Sequence, residues 1–157
     1  MPQCLILVRG AQGSGKTTFV KGELSKLLVS QGRAFAHFED DMFFMDKDGY
    51  SFKPELHWAA KKWCQEKADN ALKEGFNTVV VSNTFTSIND LLPYLNIGFK
   101  YRVKLIIYHC VGEFPNEHNV PEDVVTKART SYESLAAFGF QEIKINEKVE
   151  KEWKTTK

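Results

Sequence analysis

Cysteine is scarce in this sequence, and its three cysteines form no disulfide or metal-binding pattern. Cys4, Cys64 and Cys110 are far apart in the 157 residues and show no CxxC or Cys/His spacing. An odd number at such separations argues against a disulfide framework and against a zinc site. We expect reduced cysteines, mostly in the core of an intracellular, cytoplasmic protein.

Long apolar runs and an excess of charge of one sign are also missing. The apolar run from Cys4 to Val8 is far too short for a membrane span or a signal segment, and no basic segment precedes it. The formal net charge is +1, so no overall field indicates a nucleic-acid partner, although a local basic groove stays open. We expect a soluble protein without a membrane partner, with one domain at 1–146 and a charged tail or short helix at 147–157.

Apolar strand-like runs alternate with helical patterns along the chain. Strands are predicted at 3–9, 34–39, 76–82, 102–109 and 140–145. Helices are predicted at 17–30, 54–74, 88–95 and 121–138, the third being short and irregular because Pro93 cannot donate into it. This alternation predicts an α/β fold, a doubly wound, mostly parallel five-stranded sheet with helices on both faces.

The carboxyl ends of the strands form the ligand crevice in such a sheet. Residues 10–16, 40–41 and 82–86 follow three of the predicted strands and should therefore lie on one rim. The first of these segments, GAQGSGKT, satisfies the phosphate-loop pattern GxxxxGK[ST] between a strand and a helix. A chance glycine-rich turn is the alternative, and both flanking elements count against it.

Each residue type of this loop is suited to binding a nucleoside triphosphate. Glycines let backbone N–H groups face the phosphate oxygens, and the positive end of the following helix adds to the attraction. Lys16 supplies a full charge near the β- and γ-phosphates, and the Thr17 hydroxyl suits Mg²⁺. We assign ATP binding to Gly10, Gln12, Gly13, Ser14, Gly15, Lys16, Thr17 and Thr18, with Lys16 also in a catalytic role.

Two carboxylates follow the second predicted strand. Asp40 or its neighbour Asp41 could take a proton from an attacking hydroxyl or hold the hydration shell of Mg²⁺. Acidic residues are also common at the start of turns, and the residues alone leave both interpretations open.

The order of these features resembles the small P-loop kinases grouped with polynucleotide kinase and zeta toxin. The resemblance covers residues 3–138 and rests on the phosphate loop and on Asp40-Asp41, Phe43-Phe44, Asp48-Gly49-Tyr50, Phe52, Pro54, Leu56, Ala60 and Trp63. It implies Mg²⁺- and ATP-dependent phosphorylation of a hydroxyl, often the 5′ end of a nucleic acid. Asp40 would activate the acceptor and, with Thr17, hold the metal. Substrate-binding roles are assigned to Asp41, Phe44, Asn83 and Thr84.

The chain departs from this family at the third strand and in the lid. The family usually shows Asp-Asn-Thr-Asn after that strand, whereas this chain has Ser82, Asn83, Thr84 and Phe85; Asn83 and Thr84 could instead cap the next helix. The family's lid carries arginines, but Glu113, Glu117 and His118 stand there in this chain. Arg129, assigned to ATP, and Lys127 could replace the missing charge or form a solvated helix face.

The long helix predicted at 54–74 carries lysines and tryptophans with two possible roles. Lys61 and Cys64 stand where relatives tend to show His and Asn. Four side chains, His57, Lys61, Lys62 and Lys67, could line an acceptor groove, with the Trp58 indole as a stacking platform. We expect instead that the lysines solvate the helix and that Trp58 and Trp63 anchor the core.

Three functions stay open at this stage. A kinase acting on a nucleic-acid end, nucleoside or nucleotide is favoured by the intact phosphate loop and by Asp40. A nucleotide-binding regulatory protein is favoured by the missing lid arginines. A slow ATPase switch would release phosphate without any acceptor.

Overall fold

The strands and helices were assigned from a computed structural model, which describes residues 2–114, 121, 123–124 and 131–146. The strands are, in chain order, β1 (Cys4–Gly10), β2 (Phe35–Phe38), β3 (Met45–Asp46), β4 (Gly49–Tyr50), β5 (Thr78–Asn83), β6 (Lys104–Cys110) and β7 (Ile143–Ile145). The α-helices are α1 (Lys16–Phe19), α2 (Ser25–Ser30), α3 (His57–Lys73) and α4 (Ile88–Tyr101).

Five of these strands form one parallel sheet in the order β2-β5-β1-β6-β7. The central strand β1 lies between β5 and β6, with Val8 opposite Ser82 on one side and Tyr108 on the other. The predicted five-stranded parallel sheet is confirmed, and its strand ends differ from the predicted ones by no more than three residues. The carboxyl ends of β1, β2 and β5 therefore lie next to one another.

The sheet separates two apolar layers, as a doubly wound fold requires. Leu5 and Leu7 of β1 point into the layer formed with α3 and α4, whereas Ile6 and Val8 point into the layer formed with α1 and α2. Every residue of β1 is buried, which agrees with the continuous apolar run seen in the sequence.

The helix that follows the phosphate loop contains a wider turn. α1 continues through a π-helical turn, Val20–Leu24, into α2, so the predicted span 17–30 is helical but not uniformly α-helical. Phe19, Val20, Leu24 and Leu28 are buried against the sheet.

The long helix α3 is preceded by a 3-10 turn, Pro54–Leu56, which begins at the predicted proline. Gly75, with a φ of +99°, lies just beyond its end as predicted. One expectation is wrong: Trp58 is 68% exposed and does not anchor the core, while Trp63 is partly buried. Small residues, Ala60, Cys64, Ala68 and Ala71, occupy the buried face instead, so the helix packs close to the sheet.

The helix predicted at 88–95 is too short, because α4 continues to Tyr101. Ser87 and Asp90 form a reciprocal capping box that fixes its first turn. Pro93 removes one helix hydrogen bond, but burial of Leu91, Tyr94, Leu95 and Ile97 compensates, since each buried side chain contributes roughly 1.5–3 kcal/mol.

The last quarter of the chain departs most from the prediction. The predicted helix 121–138 is contradicted at its end: residues 131–134 have no regular structure and a 3-10 turn, Ala136–Phe138, follows. Most of its earlier residues lie outside the described ones, as does the predicted tail 147–157. Gly139 ends the turn with a φ of +83°, and the strand predicted at 140–145 is reduced to β7.

A small hairpin formed by β3 and β4 was not predicted. Lys47 and Asp48 are its two-residue turn, and Met45 pairs with Tyr50 across it. The hairpin lies directly after Asp40 and Asp41, so it borders the predicted crevice.

Two further expectations can be compared with the structure. The three cysteines are buried and free, as predicted. Within the part of the chain that the structure describes, no helix is long and apolar enough to cross a membrane.

Candidate active site

The phosphate loop connects β1 to α1 in a conformation that depends on glycine. Gly13 and Gly15 have φ values of +75° and +96°, the left-handed region that builds anion-binding nests of backbone amides. At Gly10 a Cβ atom would lie 2.3 Å from Ser14 Oγ and 2.8 Å from the Cys110 carbonyl oxygen. Only glycine fits there, because the loop folds tightly onto the end of the strand.

Lys16 and Ser14 direct polar groups into this loop. Lys16 Nζ donates to the carbonyl oxygens of Gly10 (2.7 Å) and Ala11 (3.0 Å). Burial lowers the pKa of Lys16, although the nearby charges of Cys110, Glu39 and Asp41 oppose this effect. Ser14 Oγ is buried and finds no hydrogen-bond partner among the residues that are described. A partly buried cation beside a buried hydroxyl without a partner among these residues suits an anion.

The segment after β6 closes one side of the loop. Gly112 N donates to Ser14 O (3.2 Å), and Phe114 N donates to Gly13 O (2.7 Å). The half-exposed Phe114 ring lies so close to Gly15 that a Cβ atom there would be 3.0 Å from Phe114 Cε2. No role for this aromatic residue is evident from the sequence.

Asp40 is held at the rim by a reciprocal pair of hydrogen bonds to Asn83. The backbone N–H of Asp40 donates to Asn83 Oδ1 (2.8 Å), and Asn83 Nδ2 donates back to Asp40 Oδ1 (3.1 Å). Asn83 is the last residue of β5, and Asp40 opens the 3-10 turn after β2. Neighbouring strand ends thus position the carboxylate.

The surroundings of Asp40 make its carboxylate more basic than a free one. Burial raises the pKa of Asp40, while a hydrogen bond with Cys64 and the charges of Lys61 and His57 act in the opposite direction. Burial also raises the pKa of Cys64, to about 12, so its thiol stays protonated. A carboxylate with a raised pKa accepts a proton more readily.

A small cavity of about 60 Å³ lies beside Asp40, with His57, Lys61, Asn83 and Tyr94 among its walls. Lys61 Nζ is 3.5 Å from Asp90 Oδ1 at its edge. The volume corresponds to a few water molecules. A cavity of this size has room for a hydroxyl-sized group and for little more.

Exposed aromatic side chains occur in the segment before α3 and in its first turn, which supplies His57 to the cavity wall. Tyr50 and Phe52 are 44% and 47% exposed, and Trp58 is still more so. The Phe52 ring is 6.2 Å from the His57 ring, which places the aromatic group next to the cavity wall. Phe44, predicted to bind substrate, is buried beneath Phe52, with ring centroids 5.1 Å apart.

The other predicted site residues are distributed as follows. Thr17 and Thr18 are exposed at the start of α1. Asp41 Oδ1 accepts a hydrogen bond from the Tyr50 hydroxyl (3.3 Å), so it faces the hairpin. The carbonyl oxygen of Thr84 accepts from Gly10 N (3.3 Å), which joins the phosphate loop to the rim. Arg129 and Lys127 of the lid lie outside the described residues.

Arg9 is a structural residue that sequence analysis missed. Its guanidinium is fully buried at the end of β1 and donates to the carbonyl oxygens of Phe85 (3.0 Å) and Thr86 (3.0 Å). It also pairs with Glu142 Oε2 and stacks 4.7 Å from the Tyr132 ring centroid. Phe85 has a φ of +47°, which is unusual for a bulky residue and is fixed by these contacts.

Glu39 is a second residue that sequence analysis missed. Ser82 Oγ donates to Glu39 Oε1 (3.0 Å), and His37 Nε2 lies 2.7 Å from Ser82 Oγ and 3.3 Å from the same carboxylate oxygen. Glu39 is the first of three consecutive acidic residues, and this run could have indicated it, but the sequence-based assignment gave roles only to Asp40 and Asp41.

Comparison with known proteins identifies a family and a curated relative. Residues 5–135 match the AAA_33 family, which is described as an AAA domain. An uncharacterized protein of Pasteurella multocida, PM0531, is 28% identical over 131 residues, which are 78% of this chain and 73% of that protein.

Two solved structures share the fold. A chain of the Pnkp1/Rnl/Hen1 RNA repair complex superposes with a TM-score of 0.64 at 18% identity, over 89% of this chain and 47% of that one. The Mycobacterium tuberculosis APS kinase CysC, solved with AMPPNP and APS, gives a TM-score of 0.54 at 13% identity, over 93% and 80% of the two chains. The chain thus spans about half the length of the repair-complex chain. Its phosphate loop, sheet order and family match identify it as a member of the AAA_33 family with the fold of P-loop kinases.

Proposed function

We propose that this protein is an ATP- and Mg²⁺-dependent kinase that phosphorylates a hydroxyl of a nucleic-acid end, a nucleoside or a nucleotide. The observation that carries the proposal is the reciprocal Asp40–Asn83 pair, which fixes a basic carboxylate beside the phosphate loop. Phosphoryl transfer needs an activating carboxylate near the acceptor and positive charge on the phosphates, and these groups share one rim.

The bond changes assign a role to each of two side chains. The acceptor oxygen forms a bond to the γ-phosphorus while the bond from that phosphorus to the β–γ bridging oxygen breaks, and ADP leaves. Asp40 takes the proton of the acceptor hydroxyl. Lys16, with the loop amides, balances the charge on the phosphate oxygens.

The donor atoms near the loop fit Mg²⁺, which prefers oxygen ligands and keeps several waters. The Thr17 hydroxyl and the carboxylates that follow β2 are of this type, and Mg²⁺ neutralises phosphate charge when bound. The described residues contain no cluster of three or more metal-binding side chains. That composition suits a metal that is held jointly by the protein and the nucleotide, and not by a protein cage.

The region around the cavity supports an acceptor that carries a base. The cavity at Asp40 accommodates only a hydroxyl-sized end, so the rest of the acceptor lies at its mouth. Exposed Phe52 and Trp58 offer faces on which a base can stack, and such stacking contributes about 1–3 kcal/mol per base. His57 and Lys61 add polar and positive groups at the same entrance.

Transfer of labelled phosphate tests the proposal. The protein is incubated with γ-³²P-ATP, Mg²⁺ and acceptors in three groups: 5′-hydroxyl oligonucleotides, nucleosides and nucleotides. The Asp40→Asn variant should lose about 10²- to 10⁴-fold in turnover and keep its nucleotide affinity, because only the proton acceptor is changed. Asp48→Asn, an exposed change in the hairpin turn, is the control.

Two outcomes would contradict the proposal. Absence of labelled product with every acceptor, together with tight ATP binding, would favour a nucleotide-binding regulatory protein. Release of free phosphate at the same rate with and without an acceptor would favour an ATPase switch.

A further inference from the structure

We propose that Glu39, rather than a residue of β5, is the carboxylate that positions the Mg²⁺–nucleotide complex at the phosphate loop. The inference rests on the proposed function and adds a positioning residue to it. Such a residue is needed because the end of β5 carries Ser82 and Asn83 and no acid. Glu39 is the residue directly before Asp40, at the end of β2.

Hydrogen bonds hold the Glu39 carboxylate at the mouth of the phosphate loop. Ser82, which is 2% exposed, donates to Glu39 Oε1 at 3.0 Å. Ser82 lies opposite Val8 in the β1–β5 register, two residues before Gly10. The Ser82 hydroxyl on β5 is thus paired with the carboxylate of Glu39, which directly follows the neighbouring strand β2.

His37 supports this contact from within β2. Its largely buried Nε2 lies 2.7 Å from Ser82 Oγ and 3.3 Å from Glu39 Oε1. Among the described residues (2–114, 121, 123–124 and 131–146), none donates a hydrogen bond to the second carboxylate oxygen, Oε2. One oxygen is therefore anchored, and the other is available to a water of a metal's shell.

Glu39 and Asp40 face different partners although they are adjacent. Successive side chains of an extended segment point to opposite sides, and Glu39 is extended with φ −137° and ψ 149°. Burial alone would raise the pKa of Glu39, but hydrogen bonds from His37 and Ser82 and the charge of Lys16 hold it below its ordinary value. The charges acting on Asp40 are instead those of Lys61, His57 and Asp41.

These surroundings separate two tasks. Asp40 is bonded to Asn83 and borders the acceptor cavity, so its carboxylate serves the proton transfer. Glu39 is on the side of Lys16, where the terminal phosphates bind. Because Mg²⁺ in phosphate sites is held by one or two carboxylates, waters and the substrate phosphates, Glu39 suits a water-mediated contact.

The test measures how much Mg²⁺ strengthens ADP binding, and not turnover. Dissociation constants for ADP are determined calorimetrically for the intact chain in excess Mg²⁺ and in EDTA, and their ratio is the Mg²⁺ enhancement. Glu39→Gln should lower this ratio about 10- to 100-fold, the usual effect of outer-shell changes, and leave the affinity in EDTA unchanged or higher. Mn²⁺ electron paramagnetic resonance of the ADP complex should show correspondingly less bound ion.

A swapped pair and a neutral control sharpen the test. The double change Glu39→Ser with Ser82→Asp returns a carboxylate to β5 and should restore most of the enhancement. Glu23→Gln, on the exposed side of the π-helical turn, should change nothing. If Glu39→Gln fails to fold, Ser82→Ala removes the anchor and should still lower the ratio.

The outcomes distinguish this inference from the proposed function. If the wild-type chain binds no adenine nucleotide, the proposed function fails. If the wild type shows Mg²⁺ enhancement and Glu39→Gln retains it, the role of Glu39 is overturned while the kinase proposal stands. An absence of enhancement in the wild type also overturns the role of Glu39.

Discussion

The Arg9 guanidinium and the Glu142 carboxylate are 3.2 Å apart, although 133 positions separate them in the chain. The Arg9 side chain is completely inaccessible and that of Glu142 is 18% exposed. Nη1 of Arg9 also donates to the Glu133 carbonyl oxygen (3.2 Å). The segment before β7 is thereby attached to the end of β1, next to the phosphate loop.

Replacing Arg9 should destabilise the protein more than replacing Glu142. Arg9→Met leaves the partly buried Glu142 carboxylate without its arginine and the carbonyl oxygens of Phe85 and Glu133 without their side-chain donor, and should lower the free energy of unfolding by about 3 kcal/mol. Glu142→Gln keeps an acceptor and should cost less. Urea denaturation measures both, with exposed Gln141→Ala as the control. Equal, small losses in the two variants would show that the pair is not a structural link.

Lys16 is predicted to contribute mainly to nucleotide affinity. Lys16→Ala removes charge-assisted hydrogen bonds to phosphate, each roughly 1.5–3 kcal/mol, so ATP affinity should fall about 10- to 100-fold. Calorimetric titration with ATP in the presence of Mg²⁺ gives the ATP affinities of the wild type and of Lys16→Ala. Lys21→Ala, an exposed lysine in the next turn, is the matched control. Unchanged affinity of Lys16→Ala would remove the basis for assigning the loop to phosphate.

The pH dependence of transfer should report the environment of Asp40. Its carboxylate must be ionised to accept a proton, and burial raises its pKa, so kcat/KM should fall on the acid side at a pH above that of a free aspartate, about 4. Below that pKa the rate should drop with each further step toward acid. Cys64→Ala removes a hydrogen bond that lowers the pKa of Asp40 and should move the acid limb upward.

Cys64→Ser is the control for this pH profile, because a hydroxyl still donates to the carboxylate. Its acid limb should stay near that of the wild type. A limb that is identical in the wild type, Cys64→Ala and Cys64→Ser would show that another group governs the acid side.

Replacing Trp58 should weaken binding of the acceptor and leave binding of ATP unchanged. The indole is largely exposed, so Trp58→Ala should leave the melting temperature nearly unchanged. Loss of one stacked base should raise KM for a 5′-hydroxyl oligonucleotide about 10-fold, with KM for ATP unaffected. Phe99→Ala removes another exposed aromatic ring, 66% accessible on α4, and serves as the control. A parallel change in both variants would exclude a specific stacking role.

The sequence predicts well those features that local pattern controls. The buried run at β1, the valines of β5 and the glycine spacing at 10–15 each determine the backbone over a few residues, and the sheet follows from their alternation with helices. The meeting of Asp40 with the end of β5 also follows, since parallel strands end at the same edge.

What the sequence could not predict depends on contacts between distant residues. Arg9 ends an apolar run, and only the partners at 85–86, 133 and 142 show why a charge is tolerated there. The extent of α4 depends on burial of its far half, which outweighs the local effect of Pro93. Trp58 illustrates the reverse error, because helical spacing does not reveal which face meets the sheet.

The inner part of β5 consists of three identical residues, Val79, Val80 and Val81, all fully buried. A slip of this strand by one position would keep valine at two of these three positions, so apolar packing distinguishes the two alignments only weakly. The polar residues after the valines do distinguish them, because a slip would turn Ser82 from Glu39 and Asn83 from Asp40. The groups proposed for chemistry therefore also specify the strand alignment, and substitutions there can produce misaligned chains as well as inactive ones.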